Sequence, residues 1–155
     1  VDEQLYQYQK AVDVQVGTLA TALNRITQKV DALDELEKQM GTFKIETDAF
    51  LLQEILDMRG RLMDLKAKGR TPRPNRQLGA WRTTEVTPYS KVWDVQLVAM
   101  SRVRLISQQE KDLLERASEM VDAYAQEVDR FFENDWLAFI QRLEKVDMDW
   151  LKGLK

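Results

Sequence analysis

The sequence predicts an all-α fold, an antiparallel four-helix bundle with a long loop between its second and third helices, and three observations carry that prediction. Apolar residues recur at alternating steps of three and four along most of the chain. Charged residues make up 32% of it, against an ordinary level of about a quarter, and they mix both signs along the same segments, as solvated helix faces do. Helix breakers gather between Gly69 and Pro88, where no helical period survives. With 155 residues and 44% hydrophobic content, one domain spanning 1–155 with a single core is expected.

The first helix is expected over about 3–40. Leu5, Tyr8, Val12, Val16, Leu19, Leu23, Ile26, Val30, Leu33, Leu36 and Met40 form a seam close to the coiled-coil period, so this helix should lie nearly parallel or antiparallel to its neighbours. Leu23 and Ile26 are both read as core. Gly17 either weakens the helix by roughly 1 kcal/mol or permits close helix contact. Gly41 is placed as the residue just past its end, and Thr47 with Asp48 marks the start of the second helix, over about 48–68. Leu51, Leu52, Ile55, Leu56, Met58, Leu62, Met63 and Leu65 give that helix an apolar face wide enough for two neighbours, and Gly69 closes it.

Loop 69–87 follows, with three Arg residues around two prolines and then Gly79, Trp81 and a Thr-rich stretch. Loops of such length inside compact domains are uncommon and often functional. Thr87 before Pro88 reads as an N-cap with proline in the first helical position, opening a third helix over about 88–106 whose buried face is Val92, Trp93, Val95, Met100, Val103 and Ile106. Ser107 and Glu110 have the spacing of a capping box. They open the fourth helix, about 108–146, with Leu113, Ala117, Met120, Tyr124, Val128, Phe131 and Phe132 inside, then Trp136, Phe139, Ile140 and Leu143 past a bend near Asn134.

Composition excludes several function classes. The net charge of −3 gives the whole molecule no electrostatic footprint for nucleic acid. With 0 Cys and 0 His there is no thiolate nucleophile, no zinc-finger spacing and no imidazole base. No apolar run approaches the roughly 20 residues that span a bilayer, so no stable membrane insertion is expected. Val1-Asp2-Glu3-Gln4 has none of the character of a signal peptide; if the protein is exported, its signal is expected outside the given sequence. No phosphate-binding glycine loop, nucleophile elbow or zinc-protease helix occurs, and no cofactor is implied.

The remaining candidates are weighed by spacing. Glu115, Glu119, Asp122 and Glu127 follow helical surface spacing beside Lys and Arg, which marks a solvated face rather than a catalytic pair of carboxylates. Asp147 and Asp149 lack the glycine and further oxygen ligands of a calcium loop, so no metal site is assigned. Phe131, Phe132, Trp136, Phe139 and Trp150 lie at core spacing. Lys66, Lys68, Arg70, Arg73, Arg76 and Arg82 run without an intervening acid and enclose Trp81, the one charge-segregated stretch. Arginines beside a tryptophan can hold an anionic glycan, a phosphate or an acidic surface by bidentate bonding and stacking. Arg70, Arg73, Arg76, Trp81 and Arg82 are therefore the candidate ligand or partner residues, against the plainer reading of a solvated connection.

The stretch from Glu127 through Phe131, Phe132, Asp135 and Trp136 to Phe139, with Val146 to Trp150, resembles the C-terminal helical region of bacterial (Bacteroidota-type) BNR-repeat, sortilin-like propeller proteins. The order of a long helix, a second helix, a Pro/Arg/aromatic loop and a final helix is similar too. The resemblance implies a C-terminal appendage of an exported propeller protein of the periplasm, cell envelope or exterior, with a neighbouring propeller domain or another protein as its partner. Hydrolase labels in that family belong to the propeller, whose Ser-x-Asp-x-Gly-x-Thr-Trp box is absent here, so no catalytic residue carries over. The expected function is a non-catalytic helical interaction or structural module. The alternatives are a module binding an anionic glycan or phosphate through 66–82, and part of a glycosyl-hydrolase-type protein whose catalytic domain is not in this chain.

Overall fold

The structure, a computed structural model, describes residues 2–42, 49–70, 86–100 and 105–145. Thr47, Asp48, Arg73, Arg76, Trp81, Arg82, Val103, Asp147, Asp149 and Trp150 lie outside the described residues. In chain order the elements are α1 (Asp2–Thr42), α2 (Ala49–Gly69), α3 (Pro88–Ala99), α4 (Gln108–Phe131), a π-helical segment (Phe132–Trp136) and α5 (Leu137–Glu144). No strand occurs among the described residues, and the protein is an all-α helical bundle.

Two boundaries differ from expectation. α1 continues through Gly41 to Thr42, so Gly41 lies within the helix and not beyond it. α3 stops at Ala99, short of the expected 106, with Met100 capping it through an N–H bond to the Gln96 carbonyl at 3.0 Å. The chain is non-helical over Leu105–Ser107 because Ser107 serves as the next cap: its Oγ accepts from the Glu110 N–H at 3.2 Å.

The chain forms two compact units. The first comprises Val1–Ala22 and Ala67–Gln126. Its core contains Tyr8, Val12, Val95, Ala99, Ile106 and Ala117, with Leu5, Val16, Val98, Leu113 and Leu114 packed against them. Three side chains of α1 tie it together. Tyr8 Oη donates to the Glu110 carbonyl at 3.1 Å and Gln15 Nε2 to the Leu114 carbonyl at 3.2 Å, so α1 and α4 advance in the same direction here. Gln9 Nε2 donates to the Ala99 carbonyl at 2.8 Å, anchoring the C-terminal end of α3.

The second unit comprises Leu23–Lys66 and Glu127–Lys155, with Ile26, Leu33, Ile55, Leu62, Phe139 and Leu143 fully buried. Arg59 meets Asp34 at 2.6 Å, joining α2 to α1, and Arg25 meets Asp129 at 3.0 Å, joining α1 to α4. Arg61 pairs with Asp135 at 2.5 Å and Arg142 with Glu54 at 3.4 Å, so α2 runs against the chain from the π segment through α5.

The buried seam of α1 passes through Tyr8, Val12, Gln15, Leu19, Ala22, Ile26, Val30, Leu33, Leu36 and Met40. Gln15 and Ala22 thus take places that hydropathy assigns to Val16 and Leu23, which are only half-buried. Gln15 is tolerated because its amide reaches a backbone acceptor on α4. On α2 the wide face is also narrower than expected: Leu51, Ile55, Met58, Leu62 and Leu65 are buried, while Leu52, Leu56 and Met63 are 37–40% exposed. The expected break near Asn134 takes the form of the π segment, where Asn134 Nδ2 donates to the Arg130 carbonyl at 2.9 Å. Val128, Phe132, Trp136 and Ile140 are spaced by fours, which on a regular α-helix would drift by about 40° per step. The wider π turn absorbs that drift, and all four stay buried.

Candidate functional site

Helix α3 is short and apolar, and its start is fixed locally. Thr87 Oγ1 accepts from the Ser90 N–H at 3.2 Å while Ser90 Oγ accepts from the Thr87 N–H at 2.9 Å, with Pro88 opening the first turn. The cap at Thr87 and Pro88 is as expected from sequence, whereas the reciprocal role of Ser90 is not legible from the usual Glu or Gln at that place.

The period of the helix divides its apolar residues between two arcs. Pro88, Val92, Val95 and Ala99 face the core of the first unit. Tyr89, Trp93, Leu97 and Met100 recur at steps of four, four and three, roughly 100° further around, and point to solvent. Trp93 is 54% exposed and Met100 73%, so neither belongs to the buried face of α3 expected from hydropathy.

Between this stripe and α1 lies a groove of about 560 Å³ lined by Gln9, Asp13, Trp93, Gln96, Leu97 and Met100, with Val12 and Ala99 at its base. Scattered single apolar side chains are ordinary on a protein surface, whereas these four lie on one arc of α3 beside the groove. Asp13 is the one carboxylate among the groove's described lining residues, so the pair needed for glycoside hydrolysis is not brought together there. A smaller hollow of about 300 Å³, lined by Gln4, Tyr8, Ile106, Lys111 and Leu114 among others, lies elsewhere in the same unit. Burial first, and the charge of Glu110 second, push the Tyr8 phenol up to about 12, and its proton is committed to the Glu110 carbonyl.

The second unit holds a cluster of aromatic and cationic side chains around the π segment. Phe131, Phe132, Trp136 and Phe139 follow one another at ring-centroid separations of 5.4–5.9 Å. The Arg25 guanidinium lies 4.2 Å from the Phe132 ring centre, Arg61 lies 5.5 Å from Phe131, and the Lys29 ammonium is 6.0 Å from Trp136. Both arginines are also paired with carboxylates, Asp129 and Asp135, so the cluster staples α1 and α2 to the π segment. Phe132, Trp136 and Phe139 are core, as expected, and Phe131 is half-buried.

Of the basic-loop residues, Arg70 is described and exposed, one position past the end of α2. Glu115, Glu119 and Asp122 are exposed, as a solvated helix face requires, and Glu127 is half-buried. Among the described residues no group of three or more metal-ligating side chains occurs, and no helix is long and apolar enough to cross a membrane. No family model, curated protein or solved structure matches this chain.

Proposed function

We propose that this protein is a non-catalytic helical interaction module that docks an apolar-faced helix of a protein partner on the stripe formed by Tyr89, Trp93, Leu97 and Met100. The observation that carries the reading is the exposure of those four large side chains, 44–73%, on one arc of α3 beside the groove. Helix-in-groove recognition uses anchors at i, i+3 or i+4 and i+7, and the groove runs beside a ridge of that spacing. Trp and Met are well suited to the role, because a rigid aromatic supplies contact area at low entropic cost and a thioether adapts its shape. The partner as a propeller domain of the same exported protein rests on the resemblance of Phe131, Phe132, Asp135 and Trp136 to the sortilin-like C-terminal pattern.

The test is a pull-down from envelope extract with the wild-type chain, a Trp93→Ser/Leu97→Ser variant, and a variant with Arg70, Arg73, Arg76 and Arg82 changed to Ser. A protein retained by wild type and lost only from the stripe variant is the expected result. Loss from the arginine variant instead would transfer the function to the basic loop and to an anionic ligand or partner.

A further inference from the structure

Resting on that reading of the stripe, we infer that the helix docked in the groove carries its apolar face next to a basic flank. Three features of the groove select positive charge. Asp13 is the one charged side chain among its described lining residues, and it is exposed. The groove opens at the C-terminal end of α3, where backbone carbonyls concentrate negative potential, and α3 has no basic side chain in its last turn. The half-exposed indole of Trp93 is the kind of aromatic group that attracts an ammonium or guanidinium. The two amides that line the groove add no charge. Gln9 is already committed to the Ala99 carbonyl, which fixes the α3 terminus at the groove's edge.

These features act on different parts of one incoming helix. Leu97, Met100 and the indole edge of Trp93 meet its apolar face, while Asp13 and the α3 carbonyl end meet Lys or Arg one turn along. An anionic helix of identical apolar face meets the same contact area but is repelled by both sources of negative potential. Selection by charge is therefore a property separate from the docking itself.

The experiment compares two short helical peptides with the same leucine face, one flanked by lysines and one by glutamates, titrated by fluorescence anisotropy against the full chain. The lysine peptide should bind the wild type about tenfold more tightly than the glutamate peptide, a typical reward for local charge complementarity. Asp13→Lys should erase or invert that preference, while Asp122→Lys, an equal change in net charge on the exposed face of α4, should leave it intact. Equal binding of both peptides, or an equal response to the two charge changes, overturns the basic-flank inference and leaves the docking stripe standing. Binding that survives Trp93→Ser/Leu97→Ser removes the stripe as the site and overturns both readings. Absence of binding by either peptide overturns the inference.

Discussion

The ring of Tyr124 occupies the space into which a side chain on Gly69 would project. A Cβ built on Gly69, the last residue of α2, runs into Cζ, Cε1 and Oη of the buried Tyr124 on α4. Within the first unit, a side chain at this position must displace the buried Tyr124 ring. Gly69→Ala is expected to destabilise the fold by about 1–3 kcal/mol, as overpacking does. Urea unfolding checks it, and adding Tyr124→Leu should produce a combined loss smaller than the sum of the single losses, the signature of a shared contact. Unchanged stability of Gly69→Ala would sink the claim that these residues touch.

Gly17 and Gly60 are the opposite case. Both lie in helix interiors, both are exposed, and a Cβ at either meets nothing within 4 Å. Among the described residues Gly17 therefore makes no close contact and acts as a weak point. Each Gly→Ala change should stabilise by about 0.5–1 kcal/mol, because alanine loses less backbone freedom on folding. Thermal melting at two protein concentrations reads the effect. A loss of stability at Gly60, seen only at the higher concentration, would reveal a second molecule against that face of α2.

Tyr8 predicts an alkaline weakness. Its folded pKa is raised to about 12 from an ordinary value of 10.0, so the folded state holds the phenol proton more tightly than the unfolded chain does. The associated stability is fully present below about pH 10 and is lost as pH rises toward 12. Tyr8→Phe cannot ionise and should lose less stability than the wild type between pH 9 and pH 11.5, about the window in which the unfolded phenol titrates first. It should be the less stable protein at pH 7, where the hydrogen bond to the Glu110 carbonyl is missing. Parallel decline of the two proteins in alkali would contradict this assignment.

Ile26 and Leu23 should separate in alanine scanning although their hydropathy is alike. Ile26 is fully buried and Leu23 half-buried. Ile26→Ala should cost about 2–5 kcal/mol through the cavity it leaves, and Leu23→Ala distinctly less. Equal losses in chemical denaturation would mean that the α1 seam runs through Leu23 after all.

The helices, the start of α3 and of α4, the Thr87 cap and the core status of Phe132, Trp136 and Phe139 follow from the sequence, because each depends on local spacing or on the bonding of adjacent backbone groups, whereas the end of α3 at Ala99 does not. The absence of His and Cys chemistry is equally a matter of composition. Which of several apolar arcs would be covered was a different kind of question. Val16 and Leu23 outrank Gln15 and Ala22 in hydropathy, yet the latter pair is buried, because α4 supplies a carbonyl for the Gln15 amide and the seam follows the neighbour's position. On α3, Val92 and Trp93 are adjacent in sequence and both apolar; only the placement of the helix on the core of the first unit decided that Val92 is covered and Trp93 left in solvent. The candidate groove was invisible for the same reason. Its walls come from residues some eighty positions apart, Gln9 and Asp13 on α1 with Trp93 and Met100 at α3, and local pattern carries no information about which distant surface a helix meets.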